Sequence, residues 1–371
     1  MRLTKLSLHN YRNYVDQTIE FAPGINVLLG QNAQGKTNLL EAIYVLSLAR
    51  SHRTANDKEL INWDSQNAQI RGIVKKQYSQ IPVELDLGPK GKKAKLNHLE
   101  QAKLSSYIGQ INVILFAPED LSIVKGSPQT RRKFMDMEFG QMSSHYLYNL
   151  TQYRKILKQR NRYLRDLKHH VRTDKVYLEV LSDQLAAYGA EIIFERISLL
   201  NKLQRYAQRI HQEISQGKEK LVFQYKTAVT KDQLGTVENI YNDLLKQFKT
   251  ISEKEIVRAT TLLGPHRDDL RFIVNGKEIT SFGSQGQQRT TALSLKLAEI
   301  DLMKEQTGEY PILLLDDVLS ELDDYRQTHL LTAIQDRVQT FLTTTSLSGV
   351  QEELLADPKV FRIENGKVET D

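Results

Sequence analysis

The clearest chemistry in the chain lies at Gly30-Gln31-Asn32-Ala33-Gln34-Gly35-Lys36-Thr37, where two glycines, a lysine and a hydroxyl stand at Gly-x-x-x-x-Gly-Lys-Thr spacing. The apolar run Ile25 to Leu29 precedes it and the helix-like stretch Asn38 to Ala49 follows, which is the strand-before, helix-after context of a P-loop. Gly30 and Gly35 are expected to let successive N–H groups curl around nucleotide phosphates, at the positive end of the new helix. Lys36 is expected to bridge the β- and γ-phosphates, and Thr37 to place its hydroxyl on Mg²⁺. A second set is Pro311-Ile312-Leu313-Leu314-Leu315-Asp316-Asp317, an apolar strand ending in two carboxylates. Asp316 would hold the Mg²⁺ water shell and Asp317 would polarise an attacking water, although Asp317 also suits a plain helix cap. The third is Ser281 to Arg289, where Ser284 and Gln287 have capping-box spacing. It is either a helix start alone or a second γ-phosphate site built from the Ser284 hydroxyl and the free N–H groups up to Gly286 and Gln287.

Other chemistries are excluded or weakened. The chain has no Cys, which removes disulfides, zinc fingers and thiolate catalysis, and its nine His offer no close pair beyond His169-His170. His266-Arg267-Asp268 invites a protein-kinase reading, but Ile273 stands where that catalytic loop needs Asn and no Asp-Phe-Gly follows. With 371 residues, 40% hydrophobic and 26% charged, the composition is that of a globular protein long enough for two domains. No apolar run approaches a bilayer span and the N-terminus leads into an alternating strand, so a cytoplasmic location is expected. A formal charge of +6 tilts the partner toward something anionic.

The elements that position these residues are legible as an α/β pattern. Strands are expected near Leu3 to His9 and Thr18 to Phe21, then at Ala68 to Val74, Ile81 to Leu87 and Lys93 to Leu96, giving an antiparallel subsheet beside the nucleotide. Ile111 to Phe116 reads as a buried strand. The composition changes at Lys125-Gly126-Ser127-Pro128, after which Gln129 to His170 and Thr173 to Gln216 read as two helices of about forty residues, roughly 60 Å each. Thr173 or Asp174 would cap the second helix and make the two an antiparallel pair. On the first, Arg154, Lys155, Lys158, Arg160, Arg162, Arg165 and Lys168 form a run opposed only by Asp166, either a solvated face or a track for a phosphate backbone. Asn275-Gly276 predicts a hairpin. The expected divisions are 1–125, 126–217 and 218–371.

In this order, Gly30 to Thr37, Ser284-Gln285-Gly286-Gln287, Leu313 to Asp317 and Ser320-Glu321-Leu322-Asp323 resemble the ABC-type ATPase heads of the SMC and Rad50 kind. Asn10-Tyr11-Arg12-Asn13-Tyr14, Ser51-His52-Arg53-Thr54, Phe116 to Leu121, Gly264 to Leu270 and Phe282 to Thr290 extend the resemblance, over essentially the whole chain, to the RecF family of bacterial recombination proteins. That resemblance implies a head split between 1–125 and 218–371, with a short helical arm inserted at 126–217. It also implies ATP and Mg²⁺ as cofactors, ATP-dependent homodimerisation, DNA binding at gaps or junctions, and partnership with RecR and RecO in damage repair and replication. By the same resemblance Phe116 to Leu121 corresponds to a Q-loop and Arg53 to an arginine near nucleotide or DNA. Where the broader class carries a catalytic Glu and a switch His, this chain has Asp317 and Thr344 or Thr345, which implies slow hydrolysis. A transporter ATPase subunit and a structural SMC protein are the competing readings; the first does not need the basic arm, and the second needs far longer arms.

Overall fold

The computed structural model describes residues 1–346 and 357–370. Its elements begin with strands β1 (Arg2–Tyr11), β2 (Tyr14–Glu20) and β3 (Ile25–Leu29), then helix α1 (Lys36–Leu48). There follow β4 (Ala68–Lys75), β5 (Gln80–Gly88), β6 (Gly91–Leu96), β7 (Leu99–Glu100), α2 (Leu104–Tyr107) and β8 (Val113–Phe116). Helices α3 (Leu121–Lys125), α4 (Pro128–Met142), α5 (Ser144–Lys168) and α6 (Val176–Ile214) come next. After them stand β9 (Leu221–Lys226), α7 (Val237–Arg258), β10 (Asp269–Val274), β11 (Lys277–Glu278), α8 (Ile279–Phe282) and α9 (Gln285–Thr307). The chain closes with β12 (Ile312–Asp316), α10 (Asp324–Ile334), β13 (Thr340–Thr344), β14 (Lys359–Glu364) and β15 (Lys367–Thr370). It divides into two compact units, one of Met1–Leu121, Arg209–Lys218 and Ala292–Asp371, the other of Ser122–Gln208 and Glu219–Thr291.

The first unit holds two sheets. One is antiparallel, in the order β2-β1-β4-β5-β6-β7, as the alternating segments predicted. The other runs β15-β14-β3-β13-β12-β8, parallel from β14 through β8. Its central strands read Ile25 to Leu28, Ile312 to Leu315 and Thr340 to Leu342, all buried, as expected where both faces of a parallel sheet are covered. Parallel strands end together, so β3 and β12, one strand apart, deliver the glycine-rich loop and the two carboxylates to the same sheet edge. In open α/β sheets that edge is where ligands bind.

The second unit holds the sheet β11-β10-β9 and the long helices. The expected first helix of forty residues is instead two, because Ser143 turns extended (φ −133°, ψ 113°) and caps α5 by accepting from the Tyr146 N–H at 3.0 Å. Of the two residues expected to cap α6, Asp174 accepts from the Val176 N–H at 2.8 Å. Antiparallel pairing of α5 with α6 follows from contacts between Tyr146 and Arg196, Arg160 and Ser182, and Tyr163 and Tyr177. Asn275 and Gly276 both have positive φ, 49° and 79°, and make the predicted hairpin turn between β10 and β11.

Arg160 requires a correction. Sequence reasoning grouped it with Arg162 and Arg165 as a phosphate contact, but its side chain is 0% exposed, on the same face as buried Leu164 and Leu167. Its guanidinium bonds Glu255 at 2.6 Å, Thr261 at 2.8 Å and Ser182 at 3.0 Å, and lies over the Phe248 ring. Each of its three nitrogens makes a bond inside the unit. Arg162 and Arg165 are exposed, as are Lys155, Lys158 and Lys168. Arg160→Ala would leave Glu255 buried without its cation and should cost about 3–5 kcal/mol in urea unfolding. Arg162→Ala should change stability by no more than about 0.5 kcal/mol, and adding Glu255→Gln to Arg160→Ala should recover part of the loss.

Candidate nucleotide site

Between β3 and α1 the glycine-rich loop takes the shape its sequence demands. Gly35 has φ +122° and a Cβ there would meet the Asn13 amide at 2.7 Å and the Tyr14 hydroxyl at 2.9 Å. Gly30 is needed for a different reason, close approach, since a Cβ would stand 2.4 Å from the Ile363 carbonyl oxygen of β14. Ala33 supplies a second positive φ, 66°. Gln31, Asn32 and Ala33 are exposed at the loop crest, and Gln34 receives the N–H groups of Asn365 and Gly366 on its side-chain and backbone oxygens. Lys36 Nζ donates to the carbonyls of Gly30 at 2.6 Å and Gln31 at 2.8 Å, so its ammonium is folded inside the loop's curve. Burial pushes that ammonium below its ordinary value, opposed by the charges of Asp317 and Asp316.

The strand end opposite completes the arrangement. Thr37 Oγ1 donates to Asp316 Oδ1 at 3.1 Å, joining the start of α1 to the end of β12. Thr343, on the strand between, donates to the same oxygen at 2.9 Å and accepts the Asp317 N–H at 2.9 Å. One hydroxyl thus holds both acidic positions. Asp317 has φ +54°, a left-handed conformation costly for a residue with a Cβ and typical of positions over-determined by a site. Ser320 donates to the Asp317 carbonyl at 2.8 Å. A hydroxyl and a carboxylate beside a phosphate-sized nest fit Mg²⁺, which takes few protein oxygens and otherwise keeps its waters. Thr37 and Asp316 would hold the ion, which when bound would neutralise phosphate charge. Of the two threonines expected to replace a switch histidine, Thr344 turns its hydroxyl to Ser346, donating to the carbonyl and accepting the N–H, whereas buried Thr343 makes the carboxylate contacts.

Residues from outside the P-loop surround it. Asn13 Nδ2 donates to the Gln34 carbonyl at 3.1 Å, Tyr14 to the Gly35 carbonyl at 3.0 Å, and Asn38 to Asn13 at 2.9 Å. Arg53 Nη1 donates to Asn38 Oδ1 at 2.8 Å. The two short stretches Asn10 to Tyr14 and Ser51 to Thr54 therefore meet on α1, a convergence present in the sequence only as two separate stretches of the RecF resemblance. Arg12, Asn13, Asn38, Arg53 and Trp63 line a cavity of about 1100 Å³; Trp63, the chain's one tryptophan, is 99% exposed on it.

In the second unit the Ser284 hydroxyl accepts the Gln287 N–H at 3.2 Å, and Gln287 Oε1 accepts the Ser284 N–H at 3.0 Å. The predicted capping box is present, Ser284 is exposed, and Gly286 lies in the first turn of α9. Phe282 immediately before it is 76% exposed.

The family profile described as "RecF/RecN/SMC N terminal domain" matches residues 2–368. The DNA replication and repair protein RecF of Pediococcus pentosaceus is 64% identical over 366 residues, covering 99% of this chain and 98% of that protein. The chain belongs to the RecF family. A solved structure described as the recombination mediator protein RecF-ATPrS in the RecFOR pathway superposes with a TM-score of 0.92 at 35% identity, over 100% of this chain and 98% of that one. The Smc head domain from Pyrococcus furiosus shares the fold alone, with a TM-score of 0.55 at 16% identity over 100% of this chain and 95% of that chain. The expected ABC-type ATPase head fold is therefore correct.

One stretch quoted for the RecF resemblance, Gly264 to Leu270, is a buried polar network of the second unit. Tyr153 Oη lies 2.6 Å from His266 Nδ1 and Nε2 faces the Thr261 carbonyl at 3.3 Å, an arrangement that accommodates a neutral imidazole protonated on Nε2. Asp268 accepts from Tyr225 at 2.6 Å, Arg196 donates to the Pro265 carbonyl at 2.8 Å, and Arg131 bonds both oxygens of Asp269 at 2.7 and 3.0 Å. Burial, aided by the charges of Arg267, Arg132 and Arg160, pushes His266 from 6.5 down to about 4. Burial raises Asp268 from 3.8 to about 6, against its bond from Tyr225 and the charge of Arg196. The two groups oppose each other in the same window. On acidification from pH 6.5 to 4 the unfolded state gains the His266 proton first, which destabilises, while the native state gains the Asp268 proton first, which stabilises. Each is worth on the order of 3 kcal/mol. His266→Gln should accordingly lose less stability than the parent between pH 6.5 and 4, and Asp268→Asn more, in denaturant titrations at each pH.

Proposed function

We propose that this chain is an ATP-switched DNA-binding protein of recombinational repair and replication restart. It binds Mg-ATP, closes into a head-to-head homodimer, engages DNA at single-strand gaps or junctions to help load recombinase, and opens on slow hydrolysis. The observation that carries the nucleotide part is the Thr37–Asp316–Thr343 clasp beside Lys36 at the common end of β3, β13 and β12. The likeness to a RecF structure described with ATP supports the ligand, and the RecFOR pathway named for it supports RecR and RecO as partners. This reading treats 126–217 as an arm inserted between head segments 1–125 and 218–371, and places the protein in the cytoplasm. Among the described residues no helix is long and apolar enough to cross a membrane. Against a structural SMC protein stands arm length, since the 39 residues of α6 reach only about 60 Å.

Each ATP in the dimer lies between Gly30 to Thr37 of one copy and Ser284, Gly286 and Gln287 of the other. Both elements offer helix N-termini to phosphate, and bound ATP supplies the negative charge that joins two basic surfaces. Asp317 polarises the water, but it is one methylene shorter than Glu, and catalysis is sensitive to small displacements. Turnover without DNA should lie well below the median enzyme value of about 10 s⁻¹, and Asp317→Asn should prolong the ATP-dependent dimer in light scattering. Lys36→Met should lose ATP binding and Ser284→Arg should bind ATP without dimerising. Mixing the two should restore ATPase activity through the one intact shared site. A parent protein that stays monomeric in saturating Mg-ATP would remove the shared site.

DNA affinity should fall steeply with salt, through the exposed cations Arg162 and Arg165. Alanine at Arg162 and Arg165 together should flatten the log-affinity against log-salt slope by roughly one unit per lost phosphate contact, measured by fluorescence anisotropy on gapped duplexes. An unchanged slope would assign DNA binding to the head.

A further inference from the structure

Glu41 takes no part in the phosphate or metal arrangement, yet it is the most deeply committed charge on α1. It lies about one helical turn beyond Thr37, and its side chain is 0% exposed. A carboxylate buried there is tolerated only with dedicated partners. Arg12 donates to it through Nε and Nη2, both at 2.9 Å, in a two-pronged pair. Ser51 Oγ donates to Oε1 at 2.5 Å, and Arg53 Nη1 stands 3.5 Å from Oε2. Burial pulls the Glu41 carboxyl up, but the bonds from Arg12 and Ser51 and the charges of Arg12 and Arg53 hold it below the ordinary range, so it stays ionised.

The two arginines are held differently. Arg12 is locked by two bonds to one carboxylate, with 18% of its side chain exposed, and so serves Glu41 as a counterion. Arg53 is 44% exposed and shares a single Nη1 between Glu41 and Asn38. Its backbone is also under Glu41's control, since the Ser51 hydroxyl that donates to Glu41 accepts the N–H groups of Arg53 at 2.9 Å and Thr54 at 3.1 Å. Through Asn38 and Asn13 the same chain of bonds reaches the Gln34 carbonyl of the phosphate loop. Glu41 therefore fixes both the loop and the head group of one half-exposed cation on the wall of the cavity beside that loop.

We propose that Glu41 is a positioning residue for nucleotide binding, acting through Ser51 and Arg53 to aim the Arg53 guanidinium at a bound nucleotide. This rests on the reading of the P-loop as a Mg-ATP site. The alternative is that the Glu41–Arg12 pair only stabilises the fold.

The two differ in a double-mutant cycle on the full chain. Affinity for Mg-ATPγS would be measured by calorimetry, with melting temperatures alongside, for the parent, Glu41→Gln, Arg53→Ala and the double variant. The expected result is that Glu41→Gln and Arg53→Ala each weaken binding at least about five-fold, while the double variant binds no more weakly than Arg53→Ala alone. Multiplying effects, or a lowered melting temperature with parental affinity, would overturn the proposal. Should Glu41→Gln fail to fold, Ser51→Ala keeps the ion pairs and cuts only the link to the loop. It should weaken binding in the parent and be silent in the Arg53→Ala background; independence from Arg53 would again be fatal. A parent protein whose binding is absent, or survives Lys36→Met, would sink the Mg-ATP reading itself, whereas normal parent binding with an additive cycle would sink only the role of Glu41.

Discussion

Everything at the nucleotide site depends on a hydroxyl and a carboxylate 279 positions apart in sequence being held 3.1 Å from each other, Thr37 on Asp316. Neither side chain could secure that contact, since a single hydrogen bond contributes only about 1 kcal/mol net. The work is done by the parallel sheet. Pairing of Leu29 with Thr344 and of Asp316 with Thr343 sets the ends of β3, β13 and β12 level. The hydrophobic strands are thus the alignment device, and the polar tips inherit their register. Thr343 matters because it sits on the intervening strand, where one hydroxyl reaches the Asp316 side chain and the Asp317 backbone together.

The same logic decides what could be read from the sequence. The P-loop, the capping box at Ser284 and Gln287, the Asn275-Gly276 turn and the Asp316 strand are local patterns whose geometry is fixed within a few residues, and all are present as expected. The contacts that lock the loop are not local. Asn13 and Tyr14 reach Gln34 and Gly35 across 21 positions, and Asn365 and Gly366 reach Gln34 from the far end of the chain. No periodicity announces such pairings. Gly30 illustrates the difference well: sequence assigns it backbone freedom, yet what excludes a side chain is the Ile363 carbonyl of a strand that pairs with β3 only in the folded sheet.

Arg160 fails for a related reason. A run of like charges gives charge density per residue of chain, whereas a helix divides that run among faces, and a basic residue on the face that carries Leu164 and Leu167 goes inside if it has a partner. The partner, Glu255, comes from α7, 95 positions away. Ser143 is the milder case. Nothing about the surrounding composition interrupts a helix, but a serine with extended dihedrals and a satisfied N–H three residues on resets the helix axis between α4 and α5.

Buried pairs also change what the net charge means. Arg12 with Glu41, Arg160 with Glu255, Arg196 with Asp136 and Lys296 with Glu299 each withdraw one positive and one negative group from solvent. Such pairs leave the formal +6 untouched while reducing the surface charges over which it is spread. Among the cations that remain exposed are Lys155, Lys158, Arg162, Arg165 and Lys168, all on α5. Counting cations in sequence therefore overstates how many can touch a phosphate, and the local field is set by how the exposed ones are grouped, as on α5. A polyanion responds to the net charge within a Debye length, about 8 Å at physiological ionic strength, of the surface it meets rather than to the total for the chain.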